Sequence, residues 1–337
     1  MAHLLDRAAG QRSRGSVAAN RVALAPLANI GAVARSLKVG VQLPEVEREV
    51  RWPELAAMIR LIEDAGFDSI WVGDHLLYDR PPSGLRGPWE AWTQLAAIAA
   101  ITKRVEIGPL VACAGFHEPA MLAKLASTVD EVSGGRLIVG LGAGWNQTEF
   151  DAFGFPYGNR VQRFEESFEV IRRLLVGESV SFVGRHVAID GAVLLPASTR
   201  AGGPPLMIGS SRSRMLAATI AHVTYWNAWW SDFANDPSGI APLRDAVDAA
   251  CRTIGRDPTT LARTVAVLVA PLGSDARAKA AGRVDTPARS GDAVELAQWL
   301  RAFEREGVSH IQLVLDPITI PAIEAAAAIL TALDSDT

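Results

Sequence analysis

The chain has 337 residues, 49% of them apolar and 21% charged, and a formal net charge of −4. That balance excludes chain-wide disorder, and the scattered basic residues form no stripe of the kind phosphate-backbone binding requires, so nucleic acid is not an expected partner. Two cysteines far apart, Cys113 and Cys251, match no CxxC or zinc spacing; neither a disulfide framework nor a thiol metal site is expected, and a reducing cytoplasm is the default location.

No stretch reaches about 18 uninterrupted apolar residues, so no membrane span is expected. Arg7, Arg12, Arg14 and Arg21 precede an apolar run over 22–34 that ends in Ala32-Val33-Ala34, a faint likeness to a signal peptide with an A-x-A cleavage site. Pro26 and Asn29 interrupt that run, and no paired-arginine motif is present. Residues 1–36 are therefore read as a disordered extension or the product of an early start codon, with export as the alternative.

From residue 37 onward, short β-branched runs alternate with longer segments of helical period, the pattern of βα units around a parallel sheet. The strand-like runs fall at 39–43, 69–72, 105–112, 137–141, 206–209, 223–228, 264–270 and 310–315. Eight such units close a barrel, so the spacing predicts a single α/β domain over 37–333, a (β/α)8 TIM barrel. The segment 52–65 places Leu55, Met58, Ile59 and Ile62 on one face and stops at Gly66, a C′ glycine. Helices are also predicted over 93–102, 120–132, 163–175, 288–307 and 320–333. The interval between the fourth and fifth strands holds two extra runs, 179–183 and 187–189, around Gly184-Arg185, which predicts an inserted hairpin.

In such barrels the active site lies at the carboxyl ends of the strands. That filter selects Pro44 and Glu45, Gly73-Asp74-His75, residues 113–117, Gly142-Ala143-Gly144-Trp145-Asn146, Ser210-Ser211-Arg212, Trp226 with Trp229 and Trp230, Pro271 and Asp316. Asp74-His75 is the most informative pair, because an imidazole relays protons near neutral pH and a neighbouring carboxylate fixes or charges it; the bland reading is a hydrogen-bonded strand-end histidine. His117 either caps the helix at Ala120 or reaches the pocket, with capping the favoured reading, and His186, His222 and His310 are read as structural. Gly140-Leu141-Gly142-Ala143-Gly144 lacks the third glycine of GxGxxG and opens the fourth unit, so its glycines are read as admitting a ligand or a tight turn. Gly209-Ser210-Ser211-Arg212 has the small residues and the charge of a phosphate cradle, or else is a serine-rich N-cap. None of the four lysines follows a strand, no HExxH or paired-histidine motif signals a metal, and no GxSxG elbow is present, which argues against Schiff-base, metal-hydrolase and serine-hydrolase chemistry.

Taken together, AGFDSIWVGDH, EPAMLAKLASTVDEVSGGRLIVGLGAGWNQTEFDAFGFP, NRVQRFEESFEVIRRLL, PPLMIGSS and SGDAVELAQWLRAFEREGVSHIQLVL resemble the luciferase-like superfamily in its coenzyme F420-dependent branch. The resemblance spans residues 37 to about 330. It implies a barrel that holds coenzyme F420, or alternatively FMN, at its mouth. It further implies a non-prolyl cis peptide near Leu110-Val111 supporting the ring, Asp74 and His75 at the ring's reactive edge, Gly142, Ala143, Gly144 and Trp145 along the cofactor, and Gly209, Ser210 and Ser211 on its phosphate. Arg160, Arg163 and Glu166 match a family pattern and are read as helix charge pairs. The expected activity is hydride transfer between F420 and a small organic substrate. The alternatives are an FMN-dependent monooxygenase using dioxygen, a non-redox phosphate-binding barrel enzyme, and a cofactor-binding relative without activity. No metal is expected, and a homodimer is compatible with the resemblance.

Overall fold

A computed structural model describes residues 35–80, 84–271 and 286–335. Eight parallel strands close a barrel: β1 (Lys38–Gln42), β2 (Ser69–Val72), β3 in two pieces (Glu106–Pro109 and Ala112–Cys113), β4 (Val139–Gly142), β5 (Leu206–Ile208), β6 (Tyr225–Trp229), β7 (Ala262–Ala270) and β8 (Val308–Leu315). Each pairs with its successor, and β8 returns to β1 with Lys38 opposite His310, so the sheet has no long open edge. The strands are buried on both faces, which is why most of them read as short apolar runs rather than alternating ones.

Large and small residues interlock inside the barrel. Trp71 on β2 is fully buried; a Cβ at Gly40 would lie 3.0 Å from its Nε1, and one at Gly108 would lie 2.9 Å from its Cζ3. Glycine on both neighbouring strands therefore leaves room for the indole together with Ser69 on one side and the Ile138 carbonyl on the other. Burying an aromatic side chain of roughly 200 Å² stabilises by about 5 kcal/mol, before the cost of ordering it. A polar layer crosses the same interior: the amide nitrogen of Asn227 donates to Thr264 Oγ1 (2.8 Å) and Gln312 Oε1 (2.9 Å), while Trp71 Nε1 donates to Ser69 Oγ, itself 2.7 Å from His310 Nε2.

Nine helices are described: α1 (Trp52–Asp64), α2 (Ala91–Ile101), α3 (Pro119–Ser133), α4 (Gln147–Phe153), α5 (Arg160–Leu175), α6 (Ser213–Thr219), α7 (Ile240–Thr253), α8 (Ala293–Arg305) and α9 (Ile320–Ser335). The periodic segments read from sequence correspond to α1, α2, α3, α5, α8 and α9, while α4, α6 and α7 are additional. The inserted hairpin is present between β4 and β5 as Val180–Val183 paired antiparallel with Ala188–Ala192. A second, unforeseen hairpin follows β2, Tyr78–Arg80 with Gly84–Arg86. Glu166 is not part of a helix charge pair: its carboxylate accepts the backbone N–H groups of Arg185, His186 and Val187 and so holds the turn of the inserted hairpin.

Of the extension expected over 1–36, residues 1–34 lie outside the described residues. Arg35 and Ser36 are already tied to the barrel: Arg35 donates to Asp68, Asp334 and the carbonyl of Gly66, and Ser36 donates to Glu304. Among the described residues no helix is long and apolar enough to cross a membrane.

Candidate active site

The strand ends deliver their loops into one cavity of about 820 Å³. Every residue singled out from sequence as catalytic or cofactor-binding lines it: Asp74, His75, Leu110, Val111, Gly142, Ala143, Gly144, Trp145, Gly209, Ser210 and Ser211. The peptide between Leu110 and Val111 is cis and lies where β3 breaks into its two pieces.

Val111 explains several of the glycines. A Cβ at Gly140, Gly142 or Gly209 would lie 2.9, 2.8 or 3.0 Å from a methyl of Val111. Glycine on β4 and after β5 thus seats the Val111 side chain against the barrel rim, a packing reason that local sequence does not display. Gly144 has φ +76, and a Cβ there would lie 2.5 Å from Cys113 Sγ and 2.8 Å from Phe150 Cζ. Only glycine fits this left-handed turn, which launches α4 across the mouth.

The Asp74-His75 pair separates into two partnerships. Asp74, almost fully buried, accepts the Cys113 backbone N–H (2.8 Å) and lies 3.2 Å from His117 Nε2. His117 is therefore a partner of Asp74, not the cap of α3, whose N-cap is Glu118 with Pro119 as first helical residue. His75 turns the other way, with Nδ1 2.9 Å from Glu149 Oε1 on α4. The second oxygen of Glu149 accepts the N–H groups of Leu76 (2.5 Å) and Leu77 (3.4 Å). Burial opposes charge on both members of this pair. On His75 it is outweighed by the Glu149 hydrogen bond and the charges of Glu45, Glu149 and Asp74, which hold the imidazole above its ordinary value. On Glu149 it is outweighed by His75, the Leu76 amide and Asn146, which hold the carboxyl below its ordinary value.

Around His75 stand the rings of Tyr78 (4.6 Å) and Trp145 (5.8 Å), with Trp229 and Trp230 also on the cavity wall. Glu45 overlies Gly73, where a Cβ would meet its carboxyl at 2.0 Å, and accepts from the Gln42 amide. Burial and the charge of Asp74 push the Cys113 thiol well above its ordinary range, so it stays protonated and is no nucleophile. Arg160 lines the cavity too, donating to the Gly144 carbonyl (3.1 Å) and lying over the Tyr157 ring, rather than pairing along its helix. At the opposite wall, Ser210 Oγ accepts the Arg212 N–H (3.3 Å) and its carbonyl accepts Trp226 Nε1 (3.1 Å).

The other described histidines lie elsewhere. His310 is buried inside the barrel, His186 in the hairpin beside Gln162, and His222 beside a separate cavity at the amino ends of the strands. Among the described residues no group of three or more His, Cys, Asp or Glu is placed to hold a metal ion. Glu149, the pairing of His117 and the aromatic partner Tyr78 were not legible in sequence.

The family described as luciferase-like monooxygenase matches residues 26–310, most of the chain. The chain belongs to that family. It is 31% identical over 313 residues to the F420-dependent hydroxymycolic acid dehydrogenase of Mycobacterium tuberculosis, covering 84% of this chain and 81% of that protein. It is 28% identical over 222 residues to the 5,10-methylenetetrahydromethanopterin reductase of Archaeoglobus fulgidus, covering 65% of this chain and 60% of the reductase, so the match spans less than two thirds of that relative's length. Among solved structures, an F420-dependent secondary alcohol dehydrogenase in complex with an F420-acetone adduct superposes with a TM-score of 0.75 at 19% identity, over 88% of this chain and 99% of that one. The monooxygenase RslO1 of Streptomyces bottropensis superposes with a TM-score of 0.71 at 18% identity, over 89% and 98% of the two chains. At such identities these likenesses establish a shared fold.

Proposed function

We propose that this member of the luciferase-like family is an oxidoreductase that transfers hydride between coenzyme F420 and a small, largely apolar organic substrate. The observation that carries the reading is the convergence of His75, the Leu110-Val111 turn, the Gly142-to-Trp145 segment and Ser210-Ser211 in one cavity. Its volume falls within the several hundred Å³ usual for small-ligand pockets. The residues present fit a polar, planar ring. The hydroxyls of Ser210 and Ser211 and the guanidinium of Arg212 line the cavity and suit a phosphate, while Val111, Trp145 and Trp229 offer apolar faces to the ring.

In this reading Gly142, Ala143, Gly144 and Trp145 lie along the cofactor, Val111 supports it, and Gly209, Ser210 and Ser211 hold its phosphate through backbone and hydroxyl groups. When bound, the deazaflavin supplies or accepts a hydride. His75 gives a proton to the substrate oxygen in reduction or removes it in oxidation. Asp74 keeps the end of β2 docked on Cys113 and adds to the negative potential on His75. Tyr78, Trp145, Trp229 and Trp230 line an apolar place for substrate and limit water around the reacting atoms.

The F420-dependent names among the relatives support the deazaflavin over FMN. These include, besides the mycobacterial dehydrogenase, an F420-dependent glucose-6-phosphate dehydrogenase of Amycolatopsis mediterranei that is 36% identical over 154 residues, 45% of its length. The second reading is an FMN-dependent monooxygenase, favoured by the structural likeness to monooxygenases. Mixing reduced, cofactor-loaded enzyme with dioxygen tests the choice. The proposal expects no peroxyflavin spectrum and hydride transfer to a carbonyl substrate under anaerobic conditions; a stable peroxyflavin would favour the monooxygenase.

A further inference from the structure

The pairing of His75 with Glu149 has a consequence for which imidazole nitrogen does the work. We propose that Glu149 is a positioning residue that fixes the tautomer of His75, placing the proton on Nδ1 and leaving Nε2 as the atom that exchanges protons with substrate. The role of Nε2 towards substrate rests on the proposed function; the tautomer does not.

Three carboxylates act on His75, from three different elements. Asp74, its own neighbour at the end of β2, is engaged by the Cys113 amide and by His117. Glu45, after β1, lies over Gly73 and accepts from Gln42. Glu149, from α4, reaches Nδ1 at 2.9 Å. The rings of Tyr78 and Trp145 pack against the imidazole as well.

An ionised carboxylate accepts hydrogen bonds and donates none. Glu149 is buried, and two of its hydrogen bonds come from backbone N–H groups, which favour the charged form. Across a 2.9 Å contact to such an oxygen, Nδ1 must carry hydrogen. The neutral ring therefore presents a bare Nε2, ready to take the proton of an alcohol, and the imidazolium presents Nε2–H, ready to protonate a carbonyl oxygen. In the reductive direction the hydride adds to the carbonyl carbon, the C=O π bond becomes C–H and O–H, and His75 is left neutral with its proton still on Nδ1. Because the same carboxylate binds the amides of Leu76 and Leu77, the ring and the backbone that follows it are aimed as one unit.

The test needs no cofactor. Protein labelled with 15N-histidine is titrated, with the His75 signal assigned by its loss in His75→Asn. Long-range proton–nitrogen spectra then read protonation at each ring nitrogen. The expected wild-type result is a neutral form protonated at Nδ1 and bare at Nε2. Glu149→Gln, which keeps shape and can still accept the Leu76 amide, is expected to shift the neutral ring towards Nε2–H and to lower its titration midpoint by about 1–2 pH units. Glu149→Asp should restore part of both. A wild-type neutral ring protonated at Nε2 would overturn the proposal without any variant, as would a folded Glu149→Gln protein with unchanged tautomer and midpoint. Separate titration of wild-type protein with F420 distinguishes the two levels: failure to bind would remove the functional reading and leave the tautomer result standing.

Discussion

Nδ1 of His75 meets Oε1 of Glu149 at 2.9 Å across 74 positions of sequence, joining the end of β2 to the helix that follows β4. The contact makes two βα units of the barrel interdependent at the point where the proposed chemistry occurs. Asp74, for its part, accepts the Cys113 amide at the second half of β3. The rim is therefore tied together by carboxylates that each bridge separate strand ends.

Replacing His75 by alanine removes the proposed proton carrier and spares the residues assigned to the cofactor phosphate. Turnover should fall by about 10²–10⁴-fold, the usual contribution of a positioned general acid or base, with F420 affinity changed only a few-fold. Anaerobic steady-state kinetics paired with cofactor titration measures both.

Gly144→Ala tests the turn that launches α4. The left-handed backbone there costs a side chain about 1–2 kcal/mol, and the new methyl would press on Cys113 and Phe150. The melting temperature should drop, and because α4 carries Glu149, the His75 titration midpoint should drop with it. Calorimetry and the nitrogen-detected titration read the two effects.

How much of this was legible beforehand differs between fold and site. Most strands read as apolar runs because both faces are buried, and the polar residues they carry, such as Asn227, Thr264 and Gln312, pair with one another inside the barrel. The helices α1 and α5 showed because each buries a continuous stripe, such as Phe164, Phe168, Ile171 and Leu175. Helix α7 did not, since it buries only Ile240, Val247 and Cys251 over fourteen residues, and α4 and α6 are seven residues each. The cavity residues were found by their place after strands. Their partners were not: Glu149 sits on a helix that left no period, and the seating of Val111 on Gly140, Gly142 and Gly209 is a contact between strands that no local pattern encodes.

His310 gives the fold a pH dependence. Burial, with the charge of Lys38 adding to it, lowers its pKa to about 3. Unfolding lets the ring take up a proton at any pH below its ordinary value near 6.5, so the stabilising contribution is full above that value and is lost as pH falls towards 3. The limiting slope from this residue alone is about 1.4 kcal/mol per pH unit. His75 acts in the opposite sense: its raised pKa stabilises the fold at low pH and ceases to as pH rises through it. Urea midpoints between pH 7 and 4 should decline in the wild type and decline less in His310→Asn, from a lower starting stability.

Arg136 clamps the amino end of the barrel, donating to the carbonyls of Ala99, Thr102, Val105 and Ser133 and to Thr102 Oγ1. Truncation to alanine removes a donor from the last carbonyls of α2, and each buried group left unsatisfied costs about 1–3 kcal/mol. Arg136→Ala should lower stability by roughly 3 kcal/mol or more, with Arg136→Lys intermediate because an ammonium has three donors against five. Denaturant unfolding monitored by tryptophan fluorescence provides the measurement.

The most direct test of the central claim is equilibrium binding of coenzyme F420 and FMN to the purified protein, side by side, in oxidised and reduced forms. The account predicts that F420 binds more tightly than FMN in both redox states, and that His75→Ala preserves that order. Preference for FMN would contradict the deazaflavin assignment, and binding of neither would contradict the redox function as a whole.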